Sequence, residues 1–129
     1  MDPGETPGET KEKPVHWVGG SLQDLREFPA EARRNIGFAL SFAQSGRKHF
    51  SAKPLKGFKG AGILEIVEDH RGDTYRAIYT VRFASAVYVL HVFKKKSKSG
   101  IATPRQEMEL VQRRLKAAEA DYQRRYVEN

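Results

Sequence analysis

At 129 residues the chain is the size of one domain, and its 39% hydrophobic and 30% charged content is that of a globular but polar protein. With no cysteine, a disulfide framework, thiolate chemistry and a cysteine-based zinc site are excluded; no run reaches the roughly 18 apolar residues of a membrane span. The net charge of +7 is uneven: residues 1–13 hold four acids against two lysines and sum to −2, so the rest of the chain carries +9. That excess predicts a polyanionic partner.

Residues 1–13 repeat PGET and hold no large apolar side chain except Met1. They cannot bury enough surface to offset ordering entropy and predict a disordered tail ahead of a single domain over 14–129. The N-terminus also lacks the basic start and apolar middle of a secretory signal, which predicts a cytoplasmic protein.

Val15, His16, Trp17 and Val18 form a short β-prone run ended by Gly19-Gly20. Ser21 is placed to cap a short helix with Asp24 three residues on, and Leu22, Leu25 and Phe28 supply its apolar stripe. Pro29 suits the first turn of a second helix, whose Ala32, Ile36, Ala39, Leu40 and Ala43 follow the 3.6 period until Gly46 stops it. The two make a helical hairpin with one apolar side.

Residues 46–60 contain Arg47, Lys48, Lys53, Lys56 and Lys59, no acid, and several Gly and Pro breaks, so they read as a loop. Three strands follow, over 62–67, 74–83 and 86–94, with a connection between the last two tight enough to force antiparallel pairing. A helix closes the order, with Met108, Val111, Leu115, Ala118 and Tyr122 as its seam. The expected fold is α+β: the order βααβββα, a helical hairpin packed on one side of a small twisted antiparallel sheet, and a C-terminal helix.

The third strand of this meander ends in Lys94, Lys95, Lys96 and, beyond Ser97, Lys98. Such a knot of cations is either a solvated, aggregation-resistant strand end or a place to hold phosphate. Arg76 is a cation in mid-strand, which is either paired with Glu65 or Glu68 on the adjacent strand or aimed as a planar fork at phosphate oxygens. His91 lies between Leu90 and Val92 and reads on periodicity as a core histidine, and otherwise as a ring that contacts RNA. The histidines share no ligand spacing, so neither a metal nor another cofactor is expected. No phosphate loop, nucleophile elbow or dinucleotide fingerprint is present. Cations and tyrosines remain, Tyr79 among them, a set that can bind RNA through phosphates and stacking and can cleave it by activating the 2′-hydroxyl.

Four segments in this order, KPLKG (53–57), GILEI (62–66), YRAIYTV (75–81) and VLHVFKKKSKSGIATP (89–104), resemble the RelE/ParE superfamily of toxins, and most closely its HigB-like, phage-derived branch. The resemblance spans about 15–115 and implies the RelE-like form of the fold described above. It implies a toxin of a type II toxin–antitoxin system, silenced by a cognate helix-turn-helix antitoxin through which the complex binds its operator DNA. The implied activity is metal-independent cleavage of mRNA at the ribosome, with no membrane involvement.

Within that resemblance Arg76 matches the strand arginine at the scissile phosphate, and Lys94, Lys95 and Lys96 match the basic segment after the last strand, so these four are the expected catalytic residues, the lysines positioning RNA or protonating the leaving oxygen. Lys53, Lys56, Tyr79, His91 and Lys98 are the expected contacts to RNA or ribosome. RelE carries lysines on the strand before the YR motif where this chain has Leu64, Glu65 and Ile66, so the resemblance assigns no general base. ParE-type inhibition of DNA gyrase by protein contact is the alternative that the same fold allows.

Overall fold

A two-residue turn sets the register of the sheet. In the computed structural model, which describes residues 12–58, 62–96 and 104–128, Arg71 and Gly72 both have positive φ, 51° and 86°. That pair is the geometry of a type I′ hairpin, whose twist matches the flanking strands. Strands β3 (Ile63–His70) and β4 (Asp73–Thr80) therefore continue up to the turn with His70 opposite Asp73, well into the stretch expected to be a loop. At its far end β4 stops three residues short of expectation. The Thr80 hydroxyl donates to the Gly62 carbonyl and accepts from the Arg82 N–H, which turns the backbone out of the ladder.

Strand β5 (Val87–Lys96) pairs antiparallel with β4, and β1 (Val15–Trp17) pairs parallel with β5 from Val87 to Val89. A two-residue strand β2 (Lys53–Pro54) adds to β3 at the other edge, giving the order β1-β5-β4-β3-β2. The sheet is thus mixed rather than purely antiparallel, because between β1 and its neighbour β5 the chain crosses over through helices α1 (Ser21–Arg26) and α2 (Ala30–Gln44) to the far edge and returns through β2, β3 and β4. Residues 53–54 correct the loop expectation: a proline is tolerated in an edge strand whose N–H would face away from the ladder.

Both sheet faces are covered, where one was expected. Leu25, Phe28, Ile36, Ala39 and Leu40 of the helical hairpin close over Ile66, Ala77, Tyr79 and Val89. Helix α3 (Arg105–Tyr122) packs Val111 and Ala118, with Met108 and Leu115, over Ile63, Ile78, Tyr88 and Leu90 on the opposite face. Apolar residues at both parities of β4 and β5 are what a doubly covered strand requires. A π-helical turn (Gln123–Val127) ends the C-terminal element, and the Tyr126 hydroxyl lies 2.6 Å from His16 Nε2 on β1. The Tyr88 hydroxyl donates to Asp121, also at 2.6 Å, which pins the end of α3 to the sheet.

Ser21 does not cap α1; it is fully buried, and its hydroxyl donates to the Val89 carbonyl at 3.3 Å. Packing against β5 offers that hydroxyl a buried acceptor, which outweighs a cap it could make to water-exposed N–H groups. Lys13, at the end of the expected tail, is bonded in both directions to Gln44; residues 1–11 lie outside the described residues.

Candidate functional site

Opposed residues in an antiparallel ladder share a face, so the register reads out what the α3-covered face presents. One row crosses four strands as Lys53, Glu65, Ile78 and His91. The next carries Val67, Arg76 and Phe93, and a third carries Asp69, Thr74 and Lys95.

Arg76 sits in the centre of this face, 3% exposed, and its guanidinium donates to Glu65 across one register step at 3.0 Å. Glu65 is itself largely covered. Removing one member of such a pair strands the other charge in a poorly hydrated place, which is far costlier than losing a surface ion pair. Glu65→Ala is expected to lower the unfolding free energy by about 3–5 kcal/mol, read from the urea midpoint; a loss under about 1 kcal/mol, typical of exposed pairs, would show the pair to be solvated.

A register irregularity between Ile78 and Tyr79 leaves Leu90 without a partner residue on β4. The bulge lets Leu90 join the α3-side core while His91, next in the chain, stands opposite Ile78. His91 Nε2 is 2.5 Å from Glu107 Oε1 near the start of α3, and Nδ1 is 3.4 Å from the Arg114 guanidinium, which also donates to the Leu90 carbonyl at 3.0 Å. A guanidinium can only donate, so the network assigns the ring proton to Nε2, which donates to Glu107, and leaves Nδ1 as acceptor. The ring lies flat on Phe93, with centroids 4.9 Å apart. Arg114 reaches this position because Gly19 has no side chain: a Cβ there would lie 2.8 Å from the guanidinium.

The expected lysine knot is divided by the pleat. Lys94 lies on the hairpin face, 3.2 Å from Asp73 and beside the Tyr75 ring, whereas Lys95 shares the face of Arg76. Lys96 has its Cα opposite Asp73, and Lys98 lies outside the described residues. Lys53 and Lys56 are exposed at the β2 edge, with Lys53 in the row of Glu65 and His91.

Tyr79 contradicts the expectation of a stacking ring. It is fully buried under the helical hairpin, facing away from Arg76, and burial pushes its phenol up to about 12. The alternation that put it on a tyrosine-rich strand could not show that helices cover that side.

Sequence reasoning named Arg76, His91, Lys53 and Lys95, which the fold does bring to one face. It missed Glu107 and Arg114, whose helix was read only for its apolar seam. Glu65 is one of the two acids expected to pair with Arg76; together with Asp69 and Glu107 it sets three acids among the four cations Lys53, Arg76, Lys95 and Arg114, so these groups sum to only +1.

The family model described as phage-derived protein Gp49-like (DUF891) matches residues 23–116, well over half of the chain. The chain belongs to the Gp49-like family. The matched residues run from α1 into α3 and span strands β2 to β5, which carry the Arg76 face. Among solved structures, this Gp49-like chain is similar to one in the toxin–antitoxin complex RelBE2 from Mycobacterium tuberculosis, at 22% identity over 69% of this chain and 98% of that one, with a TM-score of 0.40. No curated protein matches the sequence.

Proposed function

We propose that this Gp49-like protein is the toxin of a toxin–antitoxin system and an endoribonuclease that cuts mRNA at the ribosome. The observation that carries the reading is the placement of the His91–Glu107 pair one register step from Arg76 on a single sheet face, with Lys95 on the same side. RNA cleavage through the 2′-hydroxyl needs a group to take that proton, positive charge against the pentacovalent phosphate, and a proton for the departing 5′-oxygen. The Glu107 carboxylate, which accepts from His91 Nε2–H through one oxygen, has its other oxygen left to take the 2′-hydroxyl proton and can return that proton to the departing 5′-oxygen, with His91 holding it in place. Arg76 and Lys95 supply charge, and exposed Lys53 and Lys56 contact the nucleic-acid backbone. Lys94, on the opposite face and bonded to Asp73, has no part in this constellation.

The partners that follow are a helix-turn-helix antitoxin, the ribosome and mRNA, with operator DNA bound through the antitoxin. The setting is the cytoplasm; among the described residues no helix is long and apolar enough to cross a membrane. One observation favours a second reading. Arg76 is so thoroughly buried against Glu65 that it could serve the scaffold alone, as a protein-contact inhibitor of DNA gyrase would require.

Induction followed by primer extension, with a gyrase supercoiling assay in parallel, separates the two. The nuclease reading expects growth arrest with defined cuts in translated mRNA and normal supercoiling; intact transcripts with blocked supercoiling would establish the other.

A further inference from the structure

Positive charge without intervening acids is concentrated in the segment that leads into β2. Residues 46–58 contain Arg47, Lys48, Lys53 and Lys56 and no acid. The segment carries the most exposed large apolar side chain described, Phe50, at 91%. It is not isolated: its ring stacks on His49 with centroids 4.4 Å apart and 30° between planes. His49 touches Phe38 and Phe42 edge-on at 5.7 and 5.1 Å, and Phe38 touches Phe42 at 5.1 Å. Phe38, on α2, is itself 58% exposed.

The cluster is built rather than frayed. His49 is buried, and its Nδ1 accepts the Ser51 N–H at 3.1 Å, which fixes the plane on which Phe50 lies. The Arg47 guanidinium sits 4.8 Å from the centre of the Phe42 ring. Along α2, exposed Arg34 precedes Phe38 by one turn. Single exposed apolar residues are ordinary, but a contiguous aromatic patch with polar neighbours marks a binding surface, and the segment that carries Phe50 supplies only cations.

We propose that Phe50, stacked on His49 and flanked by Phe38, Arg47 and Lys48, is a platform on which an unpaired base of single-stranded RNA stacks while the two cations hold the adjoining phosphates. Flat rings interleaved with cations are what sequence-tolerant recognition of a single strand uses, since every base has a π-face and every linkage a charge. An apolar protein surface would cover the rings but leave the acid-free cations without partners. Three residues after Phe50 the chain enters β2, where Lys53 stands opposite Glu65, so the platform borders the edge of the Arg76 face. The inference rests on the RNA reading above but not on catalysis.

The test uses the full chain and fluorescence anisotropy with two labelled oligoribonucleotides of about twelve nucleotides. One is oligoadenylate; the other has the same phosphates with central abasic positions. Wild type should bind the first about tenfold more tightly, and Phe50→Ala should bind both alike while keeping the salt dependence of wild type. Arg47→Ala with Lys48→Ala should weaken both and flatten that salt dependence. Circular dichroism confirms folding, to which a 91% exposed ring contributes little. If Phe50→Ala retains the wild-type preference for bases, the platform is wrong, whether or not the variant loses affinity for a protein partner. Primer extension with the wild-type protein separates the two readings: base-dependent binding by a wild type that cuts no mRNA sinks only the nuclease, and mRNA cleavage by a wild type whose binding does not depend on Phe50 sinks only the platform.

Discussion

Arg76→Ala should reduce mRNA cleavage by about 10²–10³-fold, the cost of removing one preorganised donor from a site where charge develops. The same substitution should destabilise the protein, because Glu65, only 13% exposed, loses the guanidinium 3.0 Å away. The two effects must therefore be separated, and Arg76→Lys does so. Lysine keeps the charge and can reach Glu65, so most of the stability survives, but it lacks the planar fork that binds two phosphate oxygens at once. Cleavage by Arg76→Lys should fall at least tenfold in single-turnover assays, with an unfolding midpoint close to wild type. If Arg76→Lys cleaves normally and Arg76→Ala loses activity only in proportion to its unfolded fraction, Arg76 belongs to the scaffold and the proposed site is wrong.

Tyr79→Ala should cost about 3–5 kcal/mol of stability, as large aromatic deletions in a close-packed core do. Tyr79→Phe tests the environment more finely. Among the described residues the Tyr79 hydroxyl has no hydrogen-bond partner, so its removal should leave stability unchanged or raise it by about 1 kcal/mol. The sign of the pH effect follows from burial, which lifts the phenol from 10.0 to about 12. The unfolded chain ionises first, so stability is intact below about pH 10 and falls as pH rises towards 12, by roughly 2–3 kcal/mol. Alkaline denaturation of Tyr79→Phe should lack that increment. RNA affinity should be the same in both proteins; a weaker Tyr79→Phe complex would return this ring to the binding surface.

These two residues show where a linear reading succeeds and stops. Arg76 was recognisable because a cation in mid-strand needs either a carboxylate or an anion, and both options were visible in the chain. Which one holds depends on the register, and the register depends on the Arg71-Gly72 turn, whose paired positive φ angles extended both strands beyond expectation. Tyr79 obeys the same alternation, yet alternation only says that it faces away from Arg76. The aromatic platform escaped notice for a different reason: the 3.6 period placed Ala32, Ile36, Ala39, Leu40 and Ala43 on the buried face of α2, as found, but could not show that Phe38 and Phe42, outside that face, meet His49 and Phe50 of the next segment.

By itself the sequence determined the order of the elements other than β2 and the excess of cations, because these rest on local periodicity, turn residues and composition, and four segments in order pointed to the family. Only the tertiary structure decided that helices cover both faces, that β1 runs parallel to β5, that the lysine run is split by the pleat, and that His91 is held by Glu107 and Arg114. Each of those depends on contacts between residues distant in the chain, where a one-residue slip in pairing inverts every side chain's face. Charge could be counted from the sequence, but its placement could not: acids drawn from β3 and α3 offset the cations of the Arg76 face, and the acid-free surplus lies beside exposed aromatic rings at the other end of α2.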